Sequence, residues 1–435
     1  MSNTIHQLTL PLHRKVKDLF SGNLARASAW LFVGNIAAGI LGYVYQVIMG
    51  RMLSPREYGL FSATMALFAV LAAPLSTLMM VISRKVSEYR ARQDSGSITH
   101  FYYSINVRSV VVGTIILGIC LLLAKQAQTY LKAPDVTPVY LLGALLFLNI
   151  PPIINNAFLQ GQQSFTWLST SGSLWILIKI IFSAALVWFG YGVSGALGGT
   201  ILAALAGWFI TYGALHRPLK EGQNKSFQTA HLNFKSSVPV FVANVAFTAM
   251  TQLDIVLVNY YFPAHEAGLY AGASILGKAV MYLPGGIALA LFPMVAENHA
   301  REEGSAHLLM QAVGLTAFLC GMGAVFYFFF GGEIIAFLYG DSYRGAGDVL
   351  KLYGFAVLPM ALVLVAENFL IAKGRVLFAY LFLITAPLQL TAIYFYHDTL
   401  NMVIAMMGAS GLLLAFLGYG LLWRDFRTSV NTSHK

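Results

Sequence analysis

Five ionisable side chains lie within apolar stretches of this sequence, away from most of its other charges. They are Arg108, Lys179, Asp254, Lys278 and Glu367. A charge at the centre of a bilayer costs about 3 kcal/mol or more, so each of these groups must face protein or water. Such residues are functional candidates by default, and the sign of their charge indicates which ligands they suit.

Asp254 and Lys278 are considered together because they lie at matching depths. Asp254 lies eight residues before the end of a predicted helix, 236–262, and Lys278 lies ten residues after the start of the next, 268–294. At 1.5 Å per residue, both side chains lie about 12–15 Å below the same surface. Two interpretations follow: a buried ion pair between adjacent helices, or a carboxylate that binds a proton or cation at the wall of a cleft.

The other three groups have different alternatives. Lys179 lies near the middle of a helix, where a lone ammonium must lose its proton or face an aqueous cleft that admits an anion. Arg108 lies about seven residues into its predicted helix, so its side chain could extend to the membrane surface or contact a substrate. Glu367 lies near the end of its helix, so it is either a coupling-ion candidate or an ion-pair partner of Lys373 or Arg375.

The distribution of charge favours an anionic ligand. The first six predicted helices contain Arg108 and Lys179 but no Asp or Glu within the membrane. We therefore take Lys179, Lys278 and Arg108 as anion-binding candidates. Asp254 and Glu367 are candidates for ion pairing or ion coupling.

The elements that position these residues are transmembrane helices. Of the 435 residues, 58% are apolar and only 10% are charged, and the mean hydropathy is +0.70, as expected of an integral membrane protein. The apolar runs are long enough to cross about 30 Å of hydrocarbon as helices. We predict an all-α polytopic protein with twelve transmembrane helices, at residues 28–49, 57–82, 101–124, 138–160, 166–190, 193–215, 236–262, 268–294, 308–331, 345–371, 376–396 and 400–423.

Lys and Arg residues indicate the orientation of these helices. They concentrate in the segments that share a side with the N-terminus, so the positive-inside rule predicts that both termini are cytoplasmic. The net charge of +10 therefore reflects membrane topology and does not indicate nucleic-acid binding.

The chain contains an internal repeat. "VGNIAAG" (33–39) aligns with "VANVAFT" (242–248), and "REYGLFSATMAL" (56–67) aligns with "HEAGLYAGASIL" (265–276), both with an offset of 209 residues. A third pair, "NAFLQGQQSF" with "ENFLIAKGRVLF", has an offset two to four residues larger. Two parallel six-helix repeats enclosing a V-shaped central cleft are expected, because an even number of helices returns the chain to the same side.

This repeat divides the chain into segments. We predict a cytoplasmic N-terminal segment and a first lobe, a cytoplasmic linker and a second lobe, and a cytoplasmic tail, at residues 1–27, 28–215, 216–235, 236–423 and 424–435. Pro74 and Pro284 lie at nearly equivalent positions of the two repeats, which predicts a shared bend in the second helix of each.

The stretch "GRMLSPREYGLFSATMALFAVLAAPLSTLMMVISRKVSEYRAR" (50–92) resembles the polysaccharide-exporting branch of the multidrug/oligosaccharidyl-lipid/polysaccharide superfamily. The similarity continues through "QLDIVLVNYYFPAHEAGLYAGASIL" (252–276), "LFPMVAE" (291–297) and "LYGDSYRGAGDVLKLYGFAVLPM" (338–360). In these motifs the chain is similar to O-antigen-type oligosaccharide flippases.

The resemblance implies a transporter of the bacterial plasma membrane rather than an enzyme. Its implied cargo is an undecaprenyl-pyrophosphate-linked oligosaccharide, which is moved by alternating access for surface polysaccharide synthesis. Basic cavity residues of such flippases face the pyrophosphate, and by position the candidates are Lys179, Lys278 and Arg108. Implied partners are the lipid-linked oligosaccharide, membrane lipids, H⁺ or Na⁺ as coupling ion, and other polysaccharide-assembly proteins.

Three alternatives remain open. A cation-coupled multidrug antiporter of the same fold generally needs acids in its cleft, and the first helix has none. A lipid II flippase often has more than twelve helices. A membrane enzyme of polysaccharide assembly needs converging acid, base or metal groups, yet the loops are short and the ten histidines form no metal-ligand pattern. No metal or cofactor is predicted.

Overall fold

The computed structural model describes residues 23–223, 225–226, 237–282, 284, 306–372 and 377–433. All regular structure in these ranges is helical. The helices are α1 (Asn23–Met52), α2 (Pro55–Ala91), α3 (Ser95–Leu122), α4 (Ala124–Leu131), α5 (Thr137–Gly161), α6 (Phe165–Leu186), α7 (Gly192–Gly222), α8 (Val238–Tyr261), α9 (Ala264–Tyr282), α10 (Ala306–Tyr339), α11 (Ala346–Ala356), α12 (Leu358–Ala372), α13 (Leu377–Phe395) and α14 (Leu400–Ser433).

Nine helical stretches within the described ranges are long and apolar enough to cross a membrane. One of them, Phe165–Gly222, contains both α6 and α7, which are joined by a π-helical turn at Val187–Tyr191. Gly190 and Gly192 have positive φ angles of 88° and 47° there, a conformation that glycine adopts without steric cost. The chain is therefore a multi-span membrane protein, as its composition predicts.

Several helices extend beyond the predicted apolar segments. α2 ends at Ala91 and α7 at Gly222, which are nine and seven residues beyond the predicted ends. Hydropathy detects only the part of a helix that lies in lipid, whereas the backbone hydrogen bonds of a helix continue equally well in water. α3 likewise begins six residues earlier than predicted, at Ser95, so Arg108 is 13 residues from its start rather than about seven.

The predicted helix at residues 345–371 is interrupted in the structure. α11 ends at Ala356 and α12 begins at Leu358. The next residue, Pro359, has no N–H to donate, and its ring conflicts with the carbonyl group four residues earlier, so a continuous helix is disfavoured there.

Two predicted features fall partly outside the described residues. The first seven residues of the predicted linker, 216–235, belong to α7, and residues 227–236 lie outside the described ranges. Pro74 lies within α2, whereas α9 ends two residues before Pro284, and residues 285–305 also lie outside. The shared bend therefore stays a prediction.

The helices pack as two groups. Helices α1–α7, the first helix group, contact one another, chiefly through α6 with α7, α5 with α7, α1 with α6 and α2 with α5. Helices α8–α14, the second helix group, do the same through α10 with α11, α8 with α13 and α9 with α11. The main connection between the groups is α2, which packs against both α8 and α9.

Local sequence explains where α2 begins. Ser54 caps the helix, because its Oγ accepts a hydrogen bond from the Glu57 amide (3.4 Å) while Glu57 Oε2 accepts one from the Ser54 amide (3.0 Å). This reciprocal arrangement satisfies two backbone donors that a helix start leaves unpaired. Pro55, the first helical residue, needs no such partner. The cap fixes the direction in which α2 leaves the α1–α2 turn.

Two glycines allow α2 and α9 to approach closely. A Cβ atom added to Gly59 would lie 2.9 Å from the Gly268 amide nitrogen, and one added to Gly268 would lie 1.8 Å from the carbonyl oxygen of Pro55. Gly59 and Gly268 are equivalent positions of the sequence repeat, since they differ by 209 residues. Equivalent positions of the sequence repeat therefore touch one another where α2 meets α9.

Candidate functional site

A cavity of about 340 Å³ lies between the two helix groups. Its wall is formed by α1 and α2 on one side and by α8 and α9 on the other. Within the described residues its polar lining consists of Tyr43, Gln46, Ser62, Gln252, Lys278 and Tyr282. The cavity is thus mixed in polarity and carries one ammonium group.

Helical spacing places these residues on one wall. Gly39, Gly42, Tyr43 and Gln46 recur at intervals of one to three residues along a single face of α1. An added Cβ on Gly39 or Gly42 would meet no atom within 4 Å, so the two glycines leave open space. α1 therefore contributes the polar ends of Tyr43 and Gln46 to the cavity, beside open space at the two glycines.

Asp254 lies beside this cavity in a network of hydroxyl groups. Its carboxylate is completely buried, and Oδ2 accepts hydrogen bonds from Tyr270 (3.0 Å), Ser274 (3.3 Å) and Tyr353 (2.8 Å). Oδ1 lies 3.4 Å from Nζ of Lys278. The ion pair considered from the sequence is therefore present, within a larger cluster that sequence reasoning did not identify.

Lys278 lies between this carboxylate and the cavity. The lysine lines the cavity, whereas Asp254 does not. Charge-assisted N–H···O hydrogen bonds are usually about 2.7–2.9 Å long, so the 3.4 Å contact is a long one. The ammonium group is 6.0 Å from the centre of the Tyr353 ring. Lys278 is the member of the cluster that a ligand in the cavity can reach.

Lys179 is stabilised in a different way. Its ammonium group lies 4.1 Å from the centre of the Tyr45 ring and 5.4 Å from that of Trp175. Cation–π contacts of this kind contribute about 2 kcal/mol when desolvated, which helps to keep a buried ammonium charged. No carboxylate among the described residues pairs with Lys179. It is 8% exposed and does not line the described cavity, so the structure does not bring it together with Lys278.

Arg108 and Glu367 lie apart from this cluster. Arg108 is exposed on α3, and Glu367 is half-buried on α12; neither lines the described cavity. The predicted partners of Glu367, Lys373 and Arg375, lie outside the described residues. Within the ranges that the structure describes, no group of three or more His, Cys, Asp or Glu residues could hold a metal ion.

One end of the bundle is closed by contacts between the helix groups. This closed end contains the α1–α2 turn and the α8–α9 turn. On one side, Lys132 donates a hydrogen bond to the carbonyl oxygen of Phe262 (3.0 Å), and Asn259 donates one to that of Leu131 (2.7 Å). We call this pair of contacts the α4–α8 clasp.

A second clasp joins the groups on the other side. Tyr343 donates a hydrogen bond to the carbonyl oxygen of Leu53 (3.4 Å), and Arg51 donates one to that of Leu338 (2.7 Å). Leu53 and Phe262 differ by 209 residues, while Lys132 and Tyr343 differ by 211. Both offsets fall within the range of the sequence repeat, so the Lys132–Phe262 and Tyr343–Leu53 contacts lie at equivalent positions of the sequence.

Comparison with known proteins gives the same architecture. The chain resembles a multidrug resistance MATE family transporter of the MOP superfamily in its inward-facing conformation, with a TM-score of 0.75 and 14% identity over 90% of this chain and 95% of that one. It also resembles the lipid II flippase MurJ in an inward closed conformation, with a TM-score of 0.70 and 12% identity over 90% of this chain and 87% of that one. The fold is therefore MATE-like and MurJ-like.

Sequence comparison identifies the family. The probable flippase AglR of Haloferax volcanii is 22% identical over 335 residues, which are 76% of this chain and 67% of that protein. The family model described as "Polysaccharide biosynthesis protein" matches residues 24–299, more than half of the chain. The chain belongs to this polysaccharide biosynthesis protein family, which confirms the polysaccharide flippase family predicted from its sequence motifs.

Proposed function

We propose that this protein flips an undecaprenyl-pyrophosphate-linked oligosaccharide across the bacterial plasma membrane for surface polysaccharide synthesis. The observation that carries the proposal is the cavity between the helix groups, with the ammonium of Lys278 on its wall. A pyrophosphate needs a cation or several donors when it leaves water, and Lys278, Ser62 and Gln252 offer both. Family membership and the relationship to a probable flippase support the assignment to flipping.

We propose alternating access as the mechanism, with both termini in the cytoplasm and the closed end at the outer face. Supporting this arrangement, both clasps lie at the closed end, and the basic extension of α2 with Arg84 and Lys85 lies at the other. Away from the closed end, the Asn244 amide of α8 donates a hydrogen bond to the carbonyl oxygen of Ala73 on α2 (3.2 Å), a contact that separation of the groups would break. A smaller apolar cluster, including Ile82, Phe101 and Phe158, belongs to the first helix group alone. The two groups would thus separate at one end while the clasps hold the other.

We also propose the finer architecture of twelve spans in two six-helix repeats. The nine apolar stretches become ten when Phe165–Gly222 is divided into α6 and α7. Adding α1 and α9 gives twelve, which supports this count. The contact between Gly59 and Gly268 supports a twofold relationship, as do the equivalent Lys132–Phe262 and Tyr343–Leu53 contacts. On this proposal the predicted lobes, 28–215 and 236–423, are the two repeats.

The residue assignments are proposals as well. Lys278 contacts the pyrophosphate directly, while Lys179 supplies positive charge from behind α1 and Arg108 acts nearer the membrane surface. Asp254 serves as the partner of Lys278. Glu367 is the remaining candidate for coupling to H⁺ or Na⁺, because every oxygen of Asp254 already has a donor.

Deletion of the gene tests the function. We expect lipid-linked repeat units to accumulate on the cytoplasmic leaflet, and the wild-type gene should reverse this accumulation. Normal surface polysaccharide after deletion would contradict the proposal. Accumulated lipid II, or increased sensitivity to organic cations with normal polysaccharide, would instead identify a lipid II flippase or a multidrug antiporter.

A further inference from the structure

The hydroxyl groups around Asp254 make its carboxylate independent of Lys278. Tyr270 and Tyr353 each donate a hydrogen bond to Oδ2, and Ser274 lies within reach of both Oδ2 (3.3 Å) and the Tyr353 hydroxyl (2.8 Å). Hydrogen-bond donors directed at a carboxylate stabilise its negative charge, as a neighbouring cation does. Lys278 can therefore move away without leaving an unsolvated charge.

Lys278 is the least tightly held member of this cluster. It contacts only Oδ1, at 3.4 Å, whereas the two tyrosine hydroxyls lie at 2.8–3.0 Å from Oδ2. Its side chain also forms part of the cavity wall. The hydrogen bonds thus fix the carboxylate of Asp254, while the ammonium group of Lys278 is free to move to an anion in the cavity.

A buried hydroxyl group without a hydrogen-bond partner lies at the same cavity on the other helix group. Ser62 is 4% exposed, its Oγ has no hydrogen-bond partner in the described structure, and the residue lines the cavity. A buried hydroxyl without a partner loses free energy that a ligand with an acceptor oxygen would restore. Ser62 on α2 and Lys278 on α9 therefore offer a donor from each helix group.

We propose that Lys278 is handed over from Asp254 to a phosphate group of the cargo, with Ser62 as a second donor to that phosphate. Tyr270, Ser274 and Tyr353 are positioning residues that hold the carboxylate ready to take the lysine back. The inference rests on the proposed function and deepens it by assigning a phosphate subsite. Because Asp254 competes with the cargo for the ammonium group of Lys278, Asp254 limits the affinity of the protein for the cargo and promotes release of the cargo.

This hand-over predicts opposite effects for two conservative substitutions. Tyr353→Phe removes one donor from the carboxylate, so Asp254 holds Lys278 more strongly and the Kd for phosphate rises about tenfold. Asp254→Asn removes the competitor, so the Kd falls about tenfold and the maximum rate of flipping falls as well. A purely structural role would not lower the Kd in any variant.

The measurement uses the full chain. Farnesyl pyrophosphate is titrated into purified protein in micelles by calorimetry, and flipping of a fluorescent prenyl-pyrophosphate glycan is followed in proteoliposomes. The control is Lys278→Met, in which the exchanging ammonium is absent. In that background Tyr353→Phe should leave the Kd unchanged. This double-mutant comparison remains decisive if Asp254→Asn does not fold.

The outcomes separate this inference from the proposed function. The hand-over is wrong if Tyr353→Phe raises the Kd equally with and without Lys278, or if folded Asp254→Asn binds no more tightly than wild type. Wild-type protein that does not bind farnesyl pyrophosphate also overturns it. Normal polysaccharide in the deletion strain contradicts the function alone, because the binding cycle is measured on purified protein.

Discussion

Replacing Gly268 with alanine should open the closed end of the protein. The new Cβ would lie 1.8 Å from the carbonyl oxygen of Pro55, whereas ordinary van der Waals contact begins at 3.4 Å, so about 1.6 Å (3.4 − 1.8) of separation is required. The obstructing atom belongs to backbone and cannot rotate away. Overpacking of this kind costs about 1–3 kcal/mol, and a rigid obstacle favours the upper value.

The equivalent glycine offers a graded comparison. At Gly59 the new Cβ would lie 2.9 Å from the Gly268 amide nitrogen, so a shift of about 0.5 Å (3.4 − 2.9) is sufficient. At Gly314 on α10 no atom lies within 4 Å, and alanine there is a matched control. The expected order of effect is Gly268→Ala, then Gly59→Ala, then Gly314→Ala.

The assay measures access to the cavity from the closed end. Cys120 and Cys320 are first replaced, and Ser62→Cys is introduced into each variant as a reporter. A membrane-impermeant thiol reagent is then added on the outer side. A penalty of 2–3 kcal/mol on the closed arrangement raises the population open at this end about 30- to 150-fold, and labelling should accelerate accordingly.

Two results would refute this reasoning. If Gly268→Ala labels no faster than Gly314→Ala, then the contact between α2 and α9 does not close the cavity. If Gly59→Ala exceeds Gly268→Ala, then the close approach of Gly268 to Pro55 is not the feature that resists separation. A protein that is merely unfolded is recognised by size-exclusion chromatography before labelling.

Three further predictions concern other parts of the molecule. Lys179→Met should abolish flipping in proteoliposomes while folded protein is retained, because the charge is removed and the side-chain volume is kept; retained flipping would contradict its role. Lys132→Met combined with Tyr343→Phe should increase the labelling rate of the Ser62→Cys reporter by about fivefold for each hydrogen bond that is lost. Equal labelling rates in the single and double variants would show that the clasps do not act together. Asp94→Ala should lower the free energy of unfolding by about 1 kcal/mol at pH 7, because Asp94 caps α3. Side-chain and backbone hydrogen bonds from Ser97 lower the pKa of Asp94, so this stabilisation is present above pH ~4 and is lost as the pH falls through the folded-state pKa. Thermal unfolding from pH 7 to pH 3 should therefore show the two proteins converging, and a constant difference would contradict this.

Sequence reasoning succeeded where a fixed geometric rule applies. The rise per residue of a helix placed Asp254 and Lys278 at the same depth, and the structure has them 3.4 Å apart. The 3.6-residue period of the α-helix also explains one feature that the sequence analysis did not predict. Tyr270, Ser274 and Lys278 are spaced by four residues along α9, so they share the face that meets Asp254. Polar residues at this spacing in an apolar helix were a usable signal.

The remainder required tertiary structure. Tyr353 reaches Asp254 from 99 residues away, and no local pattern predicts that contact. Lys179 meets Tyr45 across two helices that are distant in sequence, so this partner was equally hidden, whereas Trp175 lies four residues before Lys179 on the same helix. Helix ends were misplaced for a simpler reason: hydropathy reports lipid contact, and helices such as α2 continue beyond it.

The sequence repeat relates the surroundings of Lys179 to those of Lys278. The 209-residue offset places Tyr45 on Asp254 and Phe61 on Tyr270. Contacts agree with this equivalence, because the Tyr45 and Phe61 rings are 6.2 Å apart while the Tyr270 hydroxyl bonds to Asp254 at 3.0 Å. Equivalent residues of α1 and α8, Tyr45 and Asp254, therefore each contact a buried lysine of another helix.

The two sites differ in what happens to the charge. Asp254 pairs with Lys278, so these two residues together add no net charge to the second helix group. Tyr45 offers Lys179 only the face of a ring, which stabilises an ammonium without cancelling it. On our proposal, Lys179 contributes positive potential without a paired carboxylate, whereas Lys278 exchanges between Asp254 and the cargo. On the proposed function, a phosphate entering the cavity is attracted by Lys179 and bound by Lys278, so the equivalent helices α1 and α8 serve two different electrostatic roles.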